Sequence, residues 1–296
     1  MKRLVGVLLA TLLSANALVS ITGCQGVSDK EIGLQLYSIR EVIGSPEKYD
    51  ANHAEAFAAL HDMGYRTIEM YGYGGGKFFG HTIDEIKADL EAAGLKAIST
   101  HTTRNLSAEE LESGDFTPSM EWWRQTIADH KALGCSYIVA PSFRIPDNLE
   151  DLKTWCDYFN EVGRLCKAEG LKFGYHNHKS EFKKIDDTVI YDYMLQNTDP
   201  ELVFFEMDLY WAVQGGASPV EYFTKYPGRF KMFHVKDHYE VGVSGMVAFD
   251  VIFNAADKAG LEHYFVEIEQ SNVEGGILES CRLSADYVKS AKFISF

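Results

Sequence analysis

A single (βα)8 TIM barrel is the fold this sequence predicts, and two observations predict it. First, a helix-like stretch ending in glycine and followed at once by a short apolar run recurs along the chain, as "HDMGYRTIEM", "EAAGLKAIST", "KALGCSYIVA", "KAEGLKFGYH" and "DKAGLEHYFVEIE". Glycine just past a helix supplies the left-handed cap, and a β-rich run directly after it reads as a tight helix-to-strand turn. Second, filling in the remainder places strands near 32–37, 66–70, 96–101, 136–141, 171–176, 202–208, 230–236 and 263–269. Amphipathic stretches such as "TIDEIKADLEAA" and "DLKTWCDYFNEVGRLCKAE" lie between them. Eight strand-helix units in about 270 residues suit one barrel domain. A doubly wound open sheet is the alternative, weakened because no nucleotide fingerprint follows the first strand.

Residues 1–23 stand apart from the barrel. "MKR" is a basic start and "LVGVLLATLLSANALVSI" an apolar run of the kind found in secretory signals. The run ends in "ITGC", which resembles the lipidation box of a bacterial lipoprotein signal and marks Cys24 as the acylated residue. The expectation is therefore an exported barrel over 24–296, periplasmic or attached to the outer membrane, that meets a membrane only through a lipid anchor. The oligomeric state is left open.

Composition narrows the function. The chain carries a formal charge of −15, and without Lys2 and Arg3 it holds 26 basic against 43 acidic residues, a net −17. Nucleic acid is bound by neutralising phosphates with Lys and Arg, so this balance excludes it as a partner and weakens the case for phosphorylated substrates. The glycine-rich "YGYGGGKFFG" at 71–80 lacks the spacing of a phosphate cradle and reads as a flexible loop. Cys135, Cys156, Cys166 and Cys281 contain no CxxC spacing and read mainly as buried small hydrophobes. Cys156 and Cys166, roughly 15 Å apart on one helix, cannot pair with each other.

Strand parity assigns the site. Alternate residues share a face, and the apolar set should meet the helices while the other set lines the axis. Val203, Phe205 and Met207 then face outward, leaving Phe204, Glu206 and Asp208 inward; Phe233 and Val235 face out, with Met232, His234 and Lys236 in. Tyr264, Val266 and Ile268 oppose Phe265, Glu267 and Glu269, and Tyr175 opposes Gly174, His176 and His178. Gln35, Tyr37, Glu69 and His101 join from the early strands. Barrel interiors are normally filled by branched apolar side chains, so a polar crown at the C-terminal strand ends marks a site. Glu69, Glu206, Asp208, Glu267 and Glu269 cannot all ionise in one place without cations. Lys236 is one; a divalent metal, Mn, Mg, Co or Zn, is the second.

"YHNHKSEF", "ELVFFEMDLYW", "YPGRFKMFHVKD" and "AGLEHYFVEIEQ", in that order, resemble the sugar phosphate isomerase/epimerase family of xylose isomerase-like TIM barrels, and "IGLQLYSIR" extends the resemblance over nearly the whole barrel. The resemblance implies one divalent metal on Glu181, Asp208, His234 and Glu269, with Glu267 behind it. One departure is "VSGMVAFD", where Ala248 stands at an expected acidic position. The implied chemistry is proton abstraction next to the carbonyl of a non-phosphorylated sugar or keto-sugar. Catalytic candidates are His176, His178, Glu181, Glu269 and Lys236. Tyr37, Glu69, His101, Glu206, Tyr210, Trp211 and Glu267 are candidates for substrate contact, with Phe79 a further stacking surface. Return of the proton makes an isomerase or epimerase; loss of a β-substituent makes a lyase or, in reverse, a hydratase. A lipid-anchored sugar-binding protein without catalysis is the rival from another class.

Overall fold

A computed structural model describes residues 31–294. The segment expected to carry the export signal and Cys24 lies outside the described residues. Eight parallel strands form one sheet: β1 (Ile32–Gln35), β2 (Tyr65–Met70), β3 (Lys96–Thr100), β4 (Tyr137–Ala140), β5 (Lys172–His176), β6 (Val203–Asp208), β7 (Phe230–Lys236) and β8 (His263–Glu267). Their order is β3-β2-β1-β8-β7-β6-β5-β4. A parallel bridge between His101 and Val139 closes the ring between β3 and β4, supported by Thr102 N–H donating to Val139 O at 2.9 Å.

The principal helices are α1 (Pro46–Met63), α2 (Ile83–Ala92), α3 (Thr117–Leu133), α4 (Leu149–Ala168), α5 (Ile190–Asn197), α6 (Pro219–Lys225), α7 (Phe249–Phe253) and α8 (Gly276–Ser290). Local chemistry sets their limits. Ser45 caps α1 ahead of Pro46, and Thr82 with Glu85 forms a capping box at α2. Gly64 and Gly134 end α1 and α3 with φ of 104° and 109°, a conformation that favours glycine; β2 starts at the next residue, and β4 follows Cys135 and Ser136. None of the described helices is long and apolar enough to cross a membrane.

Parity holds. The outward residues Val203, Phe205, Met207, Phe233, Val235, Tyr264, Val266 and Ile268 belong to the large core under the helices. Inside the barrel a separate plug of Tyr137, Val139, Phe204, Met232 and Phe265 fills the lower half. Gly33 and Gly174 make room for it, since a Cβ at either would lie 2.5 Å from the ring of Phe265 or Phe204.

Two expectations are corrected. The 71–80 segment is not an unstructured loop: Tyr73–Gly74, Lys77–Phe78 and His81–Thr82 pair as a small antiparallel sheet. Gly75 and Gly76, in the turn between the first two of these strands, occupy the left-handed region at φ 59° and 78°. Strand β8 also stops at Glu267, two residues earlier than its alternation suggested, which leaves Glu269 beyond the sheet. The four described cysteines are buried and free.

Candidate active site

Strand ends β2, β3, β5, β6, β7 and β8 deliver one buried cluster above the apolar plug. His234 is its centre. Its Nε2 lies 2.6 Å from Glu69 Oε2, and its Nδ1 lies 3.2 Å from Glu267 Oε2. Glu69 is fixed in turn by Gln35 Nε2 at 2.8 Å and Ser99 Oγ at 2.7 Å. His101 Nε2 and His176 Nδ1 reach Glu206 Oε2 at 2.8 and 3.2 Å. Lys236 donates to Glu267 at 3.0 Å and pairs with Glu269 at 2.6 Å.

The charges are strongly interdependent. Burial pushes the Asp208 carboxyl up to about 7, against the pull of Lys236. Burial and then Glu69 raise Glu206 above the ordinary glutamate range. Burial also opposes ionisation of Glu69, but His101 and His234 outweigh it and its pKa falls. For Glu267 burial is outweighed by Lys236 and His234, which hold it well below the usual range. Burial lowers both His176 and His178, so these two imidazoles are neutral bases. His234, despite burial, is raised well above its ordinary value by Glu206 and Glu267.

Ligand atoms of Asp208, His234 and Glu267 lie within 4.8 Å of one another, as do those of His101, His176, Glu206 and His234. Asp208 Oδ1 caps the helix Leu209–Gln214 through Trp211 N–H at 2.7 Å, whereas its Oδ2 is buried with no partner; Glu206 Oε1 is likewise buried and unpaired. A buried carboxylate oxygen without a donor carries a full desolvation penalty. A cation at the Asp208–His234–Glu267 position relieves it, and these oxygen and nitrogen donors suit a divalent ion. The Glu69 contact matches such use, because a carboxylate behind one imidazole nitrogen fixes the tautomer and presents the other.

Several residues expected in the site have partners within the protein. Glu181, expected as a ligand, is held within its own loop: its carboxylate accepts from Tyr175 Oη at 2.5 Å, Ser180 Oγ at 2.8 Å and His178 N–H at 3.1 Å. Glu269, expected as a ligand, pairs with Lys236, and Glu267, expected behind the metal, lies in one group with Asp208 and His234. Glu69 and Glu206 are fully buried beneath the opening and hold histidines. Tyr210 Oη lies 3.0 Å from His238 Nδ1. Phe79, expected as a stacking surface, packs on Tyr49 and Tyr71.

A cavity of about 350 Å³ opens onto the cluster, lined by Tyr37, Tyr71, His101, Ser142, His176, His178, Glu267 and Glu269, among others. Tyr71 and Ser142 were not anticipated; each lies just past a strand end, in "EMYG" and "VAPS", where position alone was the available signal. Asn177 was also missed. It faces away from the axis, and its side chain bonds the backbone of Asp208 at 3.2 and 3.3 Å, positioning that residue.

The sequence profile described as "Xylose isomerase-like TIM barrel" matches residues 57–292. An inosose dehydratase of Clostridium beijerinckii is 26% identical over 166 residues, 48% of this chain and 55% of that protein; the match thus spans about half the length of that curated relative. A crystal structure of a sugar phosphate isomerase/epimerase from Parabacteroides distasonis is 37% identical, with a TM-score of 0.80 over 90% of this chain and 100% of that one. The IOLI protein, solved with a bound zinc atom, superposes with a TM-score of 0.64 over 90% of this chain and all of that one; at 13% identity it shows the fold alone.

Proposed function

From the chain's membership of the xylose isomerase-like TIM barrel family, we propose that it is a divalent-metal-dependent enzyme removing the proton next to the carbonyl of a non-phosphorylated sugar or keto-sugar. The observation that carries this reading is the convergence of Asp208, His234 and Glu267, together with the buried Asp208 Oδ2 that has no partner among the described residues. These three residues would hold the ion, of the Mn, Mg, Co or Zn class; zinc is the metal in the IOLI neighbour. Bound there, it supplies Lewis acidity that stabilises negative charge developing on the substrate carbonyl.

The chain's own residues do the rest. Glu69 orients His234, and Asn177 fixes the backbone of Asp208. His176 and His178, neutral and at the cavity wall, are positioned to accept a carbon-bound proton. Lys236, held between Glu267 and Glu269, places a positive charge beside the site. The carboxylates at the opening disfavour a phosphate group.

Return of the proton gives isomerisation or epimerisation, in line with the name of the Parabacteroides structure. Expulsion of a β-substituent gives a lyase, in line with the inosose dehydratase relative. Candidate keto-sugars incubated in D2O and followed by NMR test the shared step. The expected result is deuterium at the carbon beside the carbonyl, dependent on added divalent ion and absent in Asp208→Asn. Sugar binding that needs no metal, with no exchange in any candidate, contradicts the proposal and favours a binding protein.

A further inference from the structure

The two ends of the barrel differ in charge. The mouth holds the acidic crown, and the opposite end is made where each helix hands over to the next strand. Those stretches are 60–66, 89–97, 130–138, 165–173, 194–204, 222–231 and 256–264, with Glu31 and 287–294 beside them. Of the 25 basic residues in 31–294, eleven lie on this strand-start face; of the 42 acidic residues, nine do. The face therefore carries a net +2 and the remainder of the barrel −19. A protein polarised in this way turns its basic end toward an anionic surface and is repelled from it at the other.

A cavity of about 440 Å³ opens on the same face, lined by Lys167, Lys172, Lys231, Leu171 and Leu202 among others. Lys172 and Lys231 share one carboxylate. Glu262 lies 2.5 Å from the first and 3.5 Å from the second, and it also accepts from Tyr137 Oη at 2.7 Å. One cation of the pair is thus in excess. Lys96 is exposed, as is Lys167, which stands 3.5 Å from Glu201. Cations beside short apolar walls suit a phospholipid headgroup, which joins an anionic phosphate to a less polar glycerol.

The chain enters the barrel on this face. Strand β1 pairs with β8 in the register Gly33 to Phe265, which sets Glu31 level with His263, next to Glu262. Cys24, the residue expected to carry the lipid, is seven residues earlier, a reach of about 25 Å at full extension. Turning the mouth to the membrane would need all of that reach, since β7 alone runs about 23 Å along the barrel wall.

We infer that the strand-start face rests on a membrane containing anionic phospholipid, with Lys96, Lys167, Lys172 and Lys231 against the phosphates and the active-site mouth turned to the aqueous compartment. The inference rests on the expected lipid at Cys24 and not on the chemistry of the crown. A single acyl chain holds only reversibly, and a basic patch beside it supplies the second signal that stable attachment takes. Substrate then reaches the mouth from solution rather than out of the lipid.

The full-length chain, processed and acylated in the expressing cell, is to be placed on vesicles of phosphatidylethanolamine with phosphatidylglycerol, and on vesicles of phosphatidylcholine alone. Its lysines are acetylated with a membrane-impermeant reagent and read by mass spectrometry. On the anionic vesicles Lys96, Lys167 and Lys172 should react about fivefold more slowly than in detergent, while Lys77, Lys179 and Lys183, at the mouth end, keep their rates. High salt, or Lys96→Glu combined with Lys167→Glu, should remove the protection at Lys172 while the chain stays on the vesicles. Uniform rates on the anionic vesicles, protection of Lys77 and Lys179 instead, or equal protection on phosphatidylcholine overturns the surface. A chain that does not float with the vesicles overturns the anchor as well. None of these readings depends on turnover, so the proton abstraction stands or falls separately.

Discussion

The two halves of the barrel interior are built on opposite principles. The lower half is an apolar plug, Tyr137, Val139, Phe204, Met232 and Phe265, that needs no partner but its own packing. The upper half buries Glu69, His176, Glu206, Asp208, His234, Lys236 and Glu267 against one another and leaves carboxylate oxygens of Glu206 and Asp208 unpaired. Burying polar groups is not by itself a sign of function. His130, also fully buried, has both ring nitrogens satisfied, by Thr126 O at 2.6 Å and Thr102 Oγ1 at 3.0 Å. What separates the crown is that two buried carboxylate oxygens lack donors among the described residues, a cost to folding that a bound cation would remove.

The sharpest way to break this contrast is substitution in the crown. Asp208→Asn and His234→Ala should each lower turnover by about 10³-fold, since each removes a group that serves developing charge. Asp208→Asn keeps the cap to Trp211 N–H, so in the presence of EDTA its thermal midpoint should not fall; steady-state kinetics and a melting curve on one preparation check both halves. In the plug the effects should reverse. Phe204→Ala should cost about 3–5 kcal/mol in urea unfolding by opening a cavity, while activity per folded molecule is retained.

Smaller effects follow from titration. Burial lowers His130 to about 4. A histidine depressed in the folded state contributes stability that is intact above its unfolded pKa of roughly 6.5 and is lost as pH falls toward the folded value. Wild type should lose about 2 kcal/mol more than His130→Gln between pH 7 and pH 5. Glu206 has the opposite sign: its pKa is raised, chiefly by burial, so its ionisation costs stability as pH rises through the folded value. Glu206→Gln should therefore stabilise the metal-free protein at neutral pH, with a gain that shrinks in acid. A destabilised Glu206→Gln protein would mean that the crown is a satisfied ionic network rather than an open site.

Much of the crown was legible in the sequence because strand parity has a period of two and one wrong step would have turned every side chain. Glu206, Asp208, His234, Lys236 and Glu267 were placed by that rule alone. It failed where contacts cross elements. Nothing local shows that the helix-facing Tyr175 sends its hydroxyl to Glu181, or that Lys236 holds Glu269. The alternation "VEIE" continues past the end of β8, so the strand was read two residues too long. A cavity beside the active site, lined by Ser142, Phe143, His178 and Trp211 among others, was invisible for the same reason: these residues come from two loops and the helix Leu209–Gln214.

The central claim, that the upper barrel is a cation site centred on Asp208, His234 and Glu267, is tested most directly by metal titration of EDTA-stripped protein in a calorimeter, comparing wild type with Asp208→Asn. Saturable binding of one divalent ion per wild-type chain, abolished or severely weakened in the variant, is the predicted result. No binding by wild type, or equal binding by the two proteins, contradicts the account.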